Sequence, residues 1–313
     1  MRRNAGAVPA ILLTGSQGQL GFELRRSLAP LGRVSAVDRA RCDLADAAQV
    51  RALMQTVRPD IVVNAAAYTA VDRAETEAEL AFAVNAEAPG VLAEEAARSG
   101  ALLVHYSTDY VFDGRKDSPY CENDATAPLS VYGRSKLAGE QAVLERATAA
   151  LVLRTSWVAG AHGTNFARTI LTLARQRDTL RVVADQTGAP TTAALIADVT
   201  AQILGRHWLD ADRERFPAGL YHLAAAGETS WHGYATTVLR HAAAAGIALT
   251  VSPERIEPIP ASAYATAAAR PANSRLDTTK LRQAFGIHLP DWEDSVRLLL
   301  DQMLYGEVAC AKG

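Results

Sequence analysis

Residues 10–21 read Ala10-Ile-Leu-Leu-Thr14-Gly15-Ser-Gln-Gly18-Gln-Leu-Gly21. A short continuous apolar run that enters a glycine-rich turn suits a strand buried on both faces. Phe22, Leu24 and Leu28 then mark an amphipathic helix. Strand, glycine turn and helix in that order form the context of a dinucleotide site. Gly15 permits the tight turn. Gly18 lets backbone N–H groups approach a pyrophosphate at the helix N-terminus. Gly21 lets the helix pack close to the strand. Three spaced glycines also suit an ordinary turn, so the rest of the chain has to decide.

Downstream, the same rhythm repeats. Arg33 to Val37 reads as a second strand ending in Asp38, about 20 residues past the first glycine, where an acid meets an adenosine ribose. Arg39 is adjacent, and Asp43-Leu44 follows, with Asp43 in reach of an adenine amino group. A turn residue or a helix cap is the plain alternative for either acid. A helix over 46–58 leads to a third strand, 60–64, and then Ala65, Ala66 and Ala67 offer small side chains beside a cofactor. A long Ala/Glu helix covers 76–98, interrupted near Pro89. The fourth strand, 101–107, ends in Thr108-Asp109, at the edge where open α/β sheets bind ligands. His105 falls inside it and reads as structural. After a polar loop over 113–128 come another helix and a fifth strand, 151–155, followed by Ser156-Trp157.

Strand and helix alternating in this way predict an α/β fold, a Rossmann-type doubly wound parallel sheet. The expected division is a nucleotide-binding domain over 8–160. Residues 161–313 then form mainly a smaller C-terminal substrate-binding lobe, part of it returning to the sheet. Gly219 to Leu223 is another short strand, and helices are expected over 279–285 and 291–304. Arg270 and Arg275, on a loop, are candidates to hold a diphosphate; exposed loop arginines are the alternative.

The chemistry is concentrated in Tyr132-Gly-Arg-Ser-Lys136. Ser130 suits a helix cap, and apolar Leu137, Val143 and Leu144 recur at helical spacing. Positions i and i+4 share a face, so a phenol and an ammonium stand side by side. A free tyrosine titrates near ~10. A nearby cation is expected to pull that value down and make the phenol a proton donor. A lone Y-x-x-x-K is more often an amphipathic helix with a solvated lysine.

Composition sets the outer limits. The chain has 313 residues, is 49% hydrophobic and 21% charged, and carries a net charge of −2. No nucleic-acid partner is implied. Cys42, Cys121 and Cys310 form no C-x-x-C and suit neither a disulfide frame nor a zinc site. The apolar run after the two N-terminal arginines is too short for a signal peptide. No stretch approaches a membrane span. A cytoplasmic protein is the expectation.

The glycine turn, Ser107-Thr108-Asp109 and the Tyr132–Lys136 pair, in that order, resemble the extended short-chain dehydrogenases/reductases. Narrower strings sharpen the likeness: GQLG (18–21), HYSTDYVFDG (105–114), APLSVYGRSKLAGE (127–140), RTSWV (154–158), DQTGAPT (185–191) and RPANSRL (270–276). Together they are similar to the dTDP-4-dehydrorhamnose reductases over residues 10–305. The resemblance implies hydride delivery from NADPH or NADH to C4 of a nucleotide-linked keto sugar. It makes Tyr132 the proton donor and Lys136 its partner. Thr108, Asp109 and Trp157 would contact the sugar. Gly18, Gln19 and Leu20 would cover the pyrophosphate, Asp38, Asp43 and Leu44 the adenosine, and Ala67, Tyr68 and Thr69 would line the cofactor. Some members are dimers bridged by Mg²⁺ between glutamates, so Mg²⁺ enters as a cofactor candidate. At the corresponding places this chain has Ala194 and Gln302, with Asp301 and Glu307 nearby. An alanine offers no ligand to a hard cation. The expectation is no bridging metal, and a monomer or weak homodimer.

Two other classes stay open. A non-catalytic nucleotide-binding regulatory subunit could share the fold, though it would not need Tyr132, Lys136 and Thr108. An epimerase or dehydratase could share the cofactor site. A dehydratase generally wants a second carboxylate after Thr108-Asp109, and Tyr110 stands there instead.

Overall fold

In this computed structural model, which describes residues 8–311 with side chains to Tyr305, the 10–14 run is the strand β1 (Ala10–Thr14). It sits inside a six-stranded sheet with β2 (Arg33–Ala36), β3 (Ile61–Asn64), β4 (Leu102–Thr108), β5 (Ala150–Thr155) and β6 (Gly219–His222). The order is β6-β5-β4-β3-β1-β2, and every pairing is parallel. The chain leaves β1 for β2 on one side and returns past β1 to β3. The order therefore reverses at β1, and a crevice opens beyond the strand C-termini there.

Side-chain parity builds the two layers. Ile11 and Leu13 join Leu24 and Leu28 of helix α1 (Gln19–Leu28) and Ile196, Val199 and Ile203 of the helix Ala193–Ile203. Leu12 and Val62 point the other way, onto Val50 and Met54 of helix α2 (Ala47–Val57), Leu92 of Ala88–Ser99, and Val143 of Val131–Arg146. Each of these fully buried aliphatics contributes roughly 1.5–3 kcal/mol. Strands apolar on both faces are what a parallel sheet covered on both sides requires.

Local signals explain the helix ends. Asp46 accepts hydrogen bonds from the N–H groups of Ala48 and Gln49, and α2 stops at Arg58 in the left-handed region. Ser130 caps Val131–Arg146 by accepting from the Gly133 N–H. The Ala/Glu helix runs as Ala78–Phe82, a π-turn over Ala83–Glu87 and Ala88–Ser99. The irregularity precedes Pro89, which has no N–H to continue an α-helical ladder. Two apolar-face expectations differ: Phe22 is 38% exposed, with its ring tilted against His162, and Leu144 is 42% exposed.

Beyond residue 160, part of the chain returns to the sheet as β6 and as Thr279–Phe285. The rest has its own core of Ile170, Tyr234, Val238, Trp292, Val296 and Leu300. There Leu180–Val183 pairs in parallel with Ile256–Ile259. Among the described residues no helix is long and apolar enough to cross a membrane. Cys42 is buried and Cys121 exposed, both free; the Cys310 side chain lies outside the described residues.

Candidate active site

A cleft of about 660 Å³ opens where the strand order reverses. Its floor is the glycine turn. Gly15 has φ +68°, and a Cβ there would come within 2.6 Å of the Ala66 N. A Cβ on Gly21 would lie 2.0 Å from the Gly15 carbonyl oxygen, so only glycine lets α1 start so close to the turn. Gly18 precedes α1 without a side-chain cap, and the first-turn N–H groups have no intrahelical partner. That cradle, with Gly18, Gln19 and Leu20 facing the cleft, suits a pyrophosphate.

Along the adenosine side, the cleft is lined by Asp38, Arg39, Asp43 and Leu44. Asp38 Oδ1 accepts from the N–H groups of Ala40 and Arg41, which shapes the turn after β2. Arg39 is largely exposed and lies 3.6 Å from Asp43. Ala67, Tyr68 and Thr69 form the next wall. The π-turn explains how that wall is held. Asn85 Oδ1 accepts from the Tyr68 N–H at 2.8 Å, and its Nδ2 donates to the Tyr68 carbonyl at 3.0 Å and to Ser135 Oγ at 3.0 Å. Gly139 lets the Val131–Arg146 helix reach this turn, since a Cβ there would meet the Asn85 carbonyl oxygen at 2.0 Å.

At the chemical end, β4 delivers Ser107, Thr108 and Asp109, and the long helix delivers Tyr132 and Lys136; all five line the cleft. Thr108 interacts with the Tyr132 phenol, and Tyr110 packs edge-on against its ring at 5.6 Å. The expected influence of Lys136 on the phenol needs correcting. Lys136 Nζ donates to the Tyr106 carbonyl at 2.6 Å, and burial pushes its pKa down to about 8. Tyr132 moves the other way: desolvation pushes it up to about 12, the Thr108 hydrogen bond eases this, and Asp109 adds to it. Sharing a helix face thus does not by itself lower a phenol's pKa. The cation here leans on a backbone oxygen, while the ring sits among desolvating neighbours. Asp109 is 2% exposed, and burial raises its carboxyl to about 6 against the opposing influence of the Ser274 hydroxyl and the Thr108 hydrogen bond. His105 is structural as expected: it is fully buried, with Nδ1 3.1 Å from Asn64 Nδ2, and burial pushes its pKa well down.

Just beyond β5 stands Trp157, in the left-handed region at φ +47°. A bulky residue held there costs of order 1–3 kcal/mol, a strain that often marks function. Gly188 makes room, since a Cβ there would touch the indole at 2.7 Å. Trp231 stacks on it at 3.6 Å. Gln19 ties the two halves together: its Oε1 accepts from the Gly160 N–H at 2.8 Å and from Asn165 Nδ2 at 3.0 Å.

Three predicted residues do not line the cleft. Gly21 acts in packing. Arg270 lies near Tyr110 and pairs with Asp72 at 2.8 Å. Arg275 is committed to Glu228, the Asp117 carbonyl and Asn273. Conversely, Trp231, Thr155 and Tyr106 line the cleft and were not singled out by sequence. Thr155 ends β5 as Thr108 ends β4, and strand register alone could have indicated it.

Comparison with known proteins agrees with this geometry. The family model described as the RmlD substrate binding domain matches residues 9–305. A dTDP-4-dehydrorhamnose reductase of Burkholderia thailandensis is 49% identical, the match covering 94% of this chain and 99% of the relative. That of Salmonella typhimurium is 48% identical, covering 94% and 97%. The crystal structure of the Bacillus anthracis str. Ames enzyme in complex with NADP superposes with a TM-score of 0.85 at 33% identity, covering 94% of this chain and 99% of that one. Matched over nearly its whole length by such reductases and by their family model, this chain belongs to the dTDP-4-dehydrorhamnose reductase family.

Proposed function

We propose that the cleft binds NADPH or NADH together with dTDP-4-dehydro-L-rhamnose, and that Tyr132 protonates the C4 oxygen as dTDP-L-rhamnose forms. The observation that carries this is that the Tyr132 phenol and the Thr108 hydroxyl line one cleft with the Gly15–Leu20 turn. When bound, the reduced nicotinamide supplies the hydride. The Gly18–Leu20 backbone holds the pyrophosphate, Asp38, Arg39, Asp43 and Leu44 the adenosine, and the Ala67–Thr69 wall the middle of the cofactor. Thr108 and Tyr132 position the ketone, and Trp157 packs against the sugar. A phenol at about 12 is still a stronger acid than the alcohol being formed, so its proton moves downhill once the carbonyl oxygen becomes basic. Lys136 keeps a positive charge near that oxygen at neutral pH. Residues 8–160 serve the cofactor, and 161–313 chiefly the sugar nucleotide. The test is direct: purified protein, dTDP-4-dehydro-L-rhamnose and either reduced cofactor, followed by loss of reduced-cofactor absorbance. No oxidation with either cofactor would overturn the assignment.

Cofactor choice follows from two neighbours that oppose each other. Asp38 can bond a ribose 2′-hydroxyl and repels a 2′-phosphate. Arg39 can bind that phosphate, but Asp43 already engages it at 3.6 Å. Both NADPH and NADH are expected to work, with a kcat/KM ratio below about tenfold, or ~1.4 kcal/mol. A thousandfold preference would refute the balance.

Assembly is proposed to need no metal. Among the described residues no cluster of three His, Cys, Asp or Glu could hold an ion. Ala194 lies on the Ala193–Ile203 helix, Gln302 is exposed, and Asp301 pairs with His241 at 2.8 Å; the Glu307 side chain lies outside the described residues. Light scattering is expected to give the same mass, monomer or weak dimer, in EDTA and in Mg²⁺. A dimer that dissociates in EDTA and re-forms with Mg²⁺ would show otherwise. The reaction is placed in the cytoplasm, where free thiols such as Cys42 and Cys121 stay reduced.

A further inference from the structure

A proton given up by Tyr132 has to be replaced before the next turnover. One file of hydroxyl and carboxyl groups leads from the phenol into the protein. Thr108 interacts with the Tyr132 phenol, and its hydroxyl donates to Asp109 Oδ1 over 3.0 Å. The other carboxyl oxygen, Oδ2, is buried without a partner. Asp109 itself lines the cleft. A carboxylate with one bare oxygen in a dry site is costly, so the group keeps its proton to a higher pH than an exposed carboxyl does. The groups facing it are Thr108 beside it, Ser274 on the returning loop, Tyr132 on the long helix and the neighbouring Tyr110. The nearest cations are engaged elsewhere: Lys136 with the Tyr106 carbonyl, and Arg270 with Asp72.

We infer that Asp109 is the proton reservoir that restores Tyr132, acting through the Thr108 hydroxyl. This rests on Tyr132 being the donor in the reduction above. Once the phenol has lost its proton to the new alcohol, the Tyr132 oxygen takes the hydroxyl proton of Thr108. Thr108 takes the carboxyl proton of Asp109 at the same time. One O–H bond forms on Tyr132, one breaks on Asp109, and Thr108 ends as it began. No electrons are transferred between groups. Asp109 is left as a carboxylate, and water entering the open cleft reprotonates it after the product leaves. The transfer is downhill, from an acid near 6 to a phenol near 12.

The same chain sets the direction of the phenol hydrogen. With Asp109 ionised, Thr108 donates to it and must accept from Tyr132, which turns the phenol O–H away from a substrate. With Asp109 protonated, Thr108 can accept from the carboxyl and donate to the phenol oxygen. The Tyr132 hydrogen is then free for the ketone. Turnover is therefore lost as pH rises through the Asp109 pKa of the loaded enzyme.

Asp109→Asn separates a reservoir from a substrate contact. Enzyme with reduced cofactor is mixed rapidly with dTDP-4-dehydro-L-rhamnose. In the variant the first equivalent of cofactor is expected to be oxidised without the loss at high pH seen in the wild type, because Tyr132 starts protonated and no carboxylate turns its hydrogen aside. Its steady state is then at least about tenfold slower, the lower range for a lost acid–base group. Added formate buffer should restore part of it. First turnover and steady state slowed together, or neither slowed, overturns the proposal. A wild-type enzyme that oxidises no cofactor defeats the reductase reading itself, and this proposal with it. Two further measurements need no activity from that variant. Infrared spectra of unliganded wild-type protein, titrated from about pH 4 to about pH 8, should show one buried carboxylic acid ionising in that range. Ser274→Ala removes a nearby hydroxyl that favours the carboxylate, so the falling limb of the kcat–pH profile should move to higher pH. A missing acid band, or an unmoved limb, overturns it.

Discussion

Tyr132→Phe is expected to lower turnover by at least ~10²-fold, the usual scale for removing a general acid. The substitution deletes one oxygen and leaves the ring edge-on to Tyr110, so packing is preserved. Cofactor affinity should stay within about threefold, less than ~0.7 kcal/mol, because the glycine cradle and the Ala67–Thr69 wall are untouched. KM for the sugar nucleotide should change less than kcat. An interaction made only in the transition state shows itself in kcat and in kcat/KM equally. The phenol stands at about 12 in the unliganded protein, well above the range where it would give a kinetic limb of its own near neutrality. Near-normal turnover in the Phe variant would move the proton source elsewhere, and Thr108 would be the next group to examine.

The sheet was legible because its signals are local. Ala10–Thr14, Ile61–Asn64 and Leu102–Thr108 are short apolar runs followed by turn or polar residues, and strands buried on both faces cannot look otherwise. The glycine spacing was legible because backbone approach allows no substitute: Gly21 has a carbonyl oxygen 2.0 Å from where a Cβ would be. The Tyr132–Lys136 spacing gave the shared helix face. It could not give the direction of the lysine, because the Tyr106 carbonyl that accepts its hydrogen bond lies 30 positions earlier, on β4. Arg275 looked like a loop cation. Only the fold brings Glu228, 47 residues away, to occupy it. Trp231 was invisible for the same reason. Its partner Trp157 is brought to it when Thr229–Ser230 pairs with Thr187–Gly188, a contact between distant segments. Residues that meet across the cleft are set by tertiary pairing, and no periodicity records that.

Arg154→Met is expected to destabilise the fold by about 3–5 kcal/mol, the cost of leaving one member of a buried ion pair alone. Arg154, on β5, reaches Glu140 on the Val131–Arg146 helix through Nε to Oε1 at 2.8 Å and Nη2 to Oε2 at 2.7 Å. The side chains are 3% and 2% exposed, so water cannot take the place of a lost partner. The guanidinium also lies 4.9 Å from the Phe112 ring, adding a cation–π contact. The pair itself is a weaker source of stability than its geometry suggests, because desolvation offsets much of the attraction. Replacing both members, as Arg154→Met with Glu140→Leu, should therefore recover most of the loss. Urea unfolding of the two single variants and the double variant would form the cycle, with a large coupling expected between them. The pair also has a consequence at the active site. Glu140 lies one turn beyond Lys136 and favours its charged form, opposing the burial that drives its pKa to about 8. Removing Glu140 should lower the Lys136 pKa further, so the double variant, though folded, should lose activity at a lower pH than the wild type. Equal stability of Arg154→Met and wild type would mean that Glu140 accepts a proton or finds water when its partner goes, and that the pair is not what fixes this helix to β5.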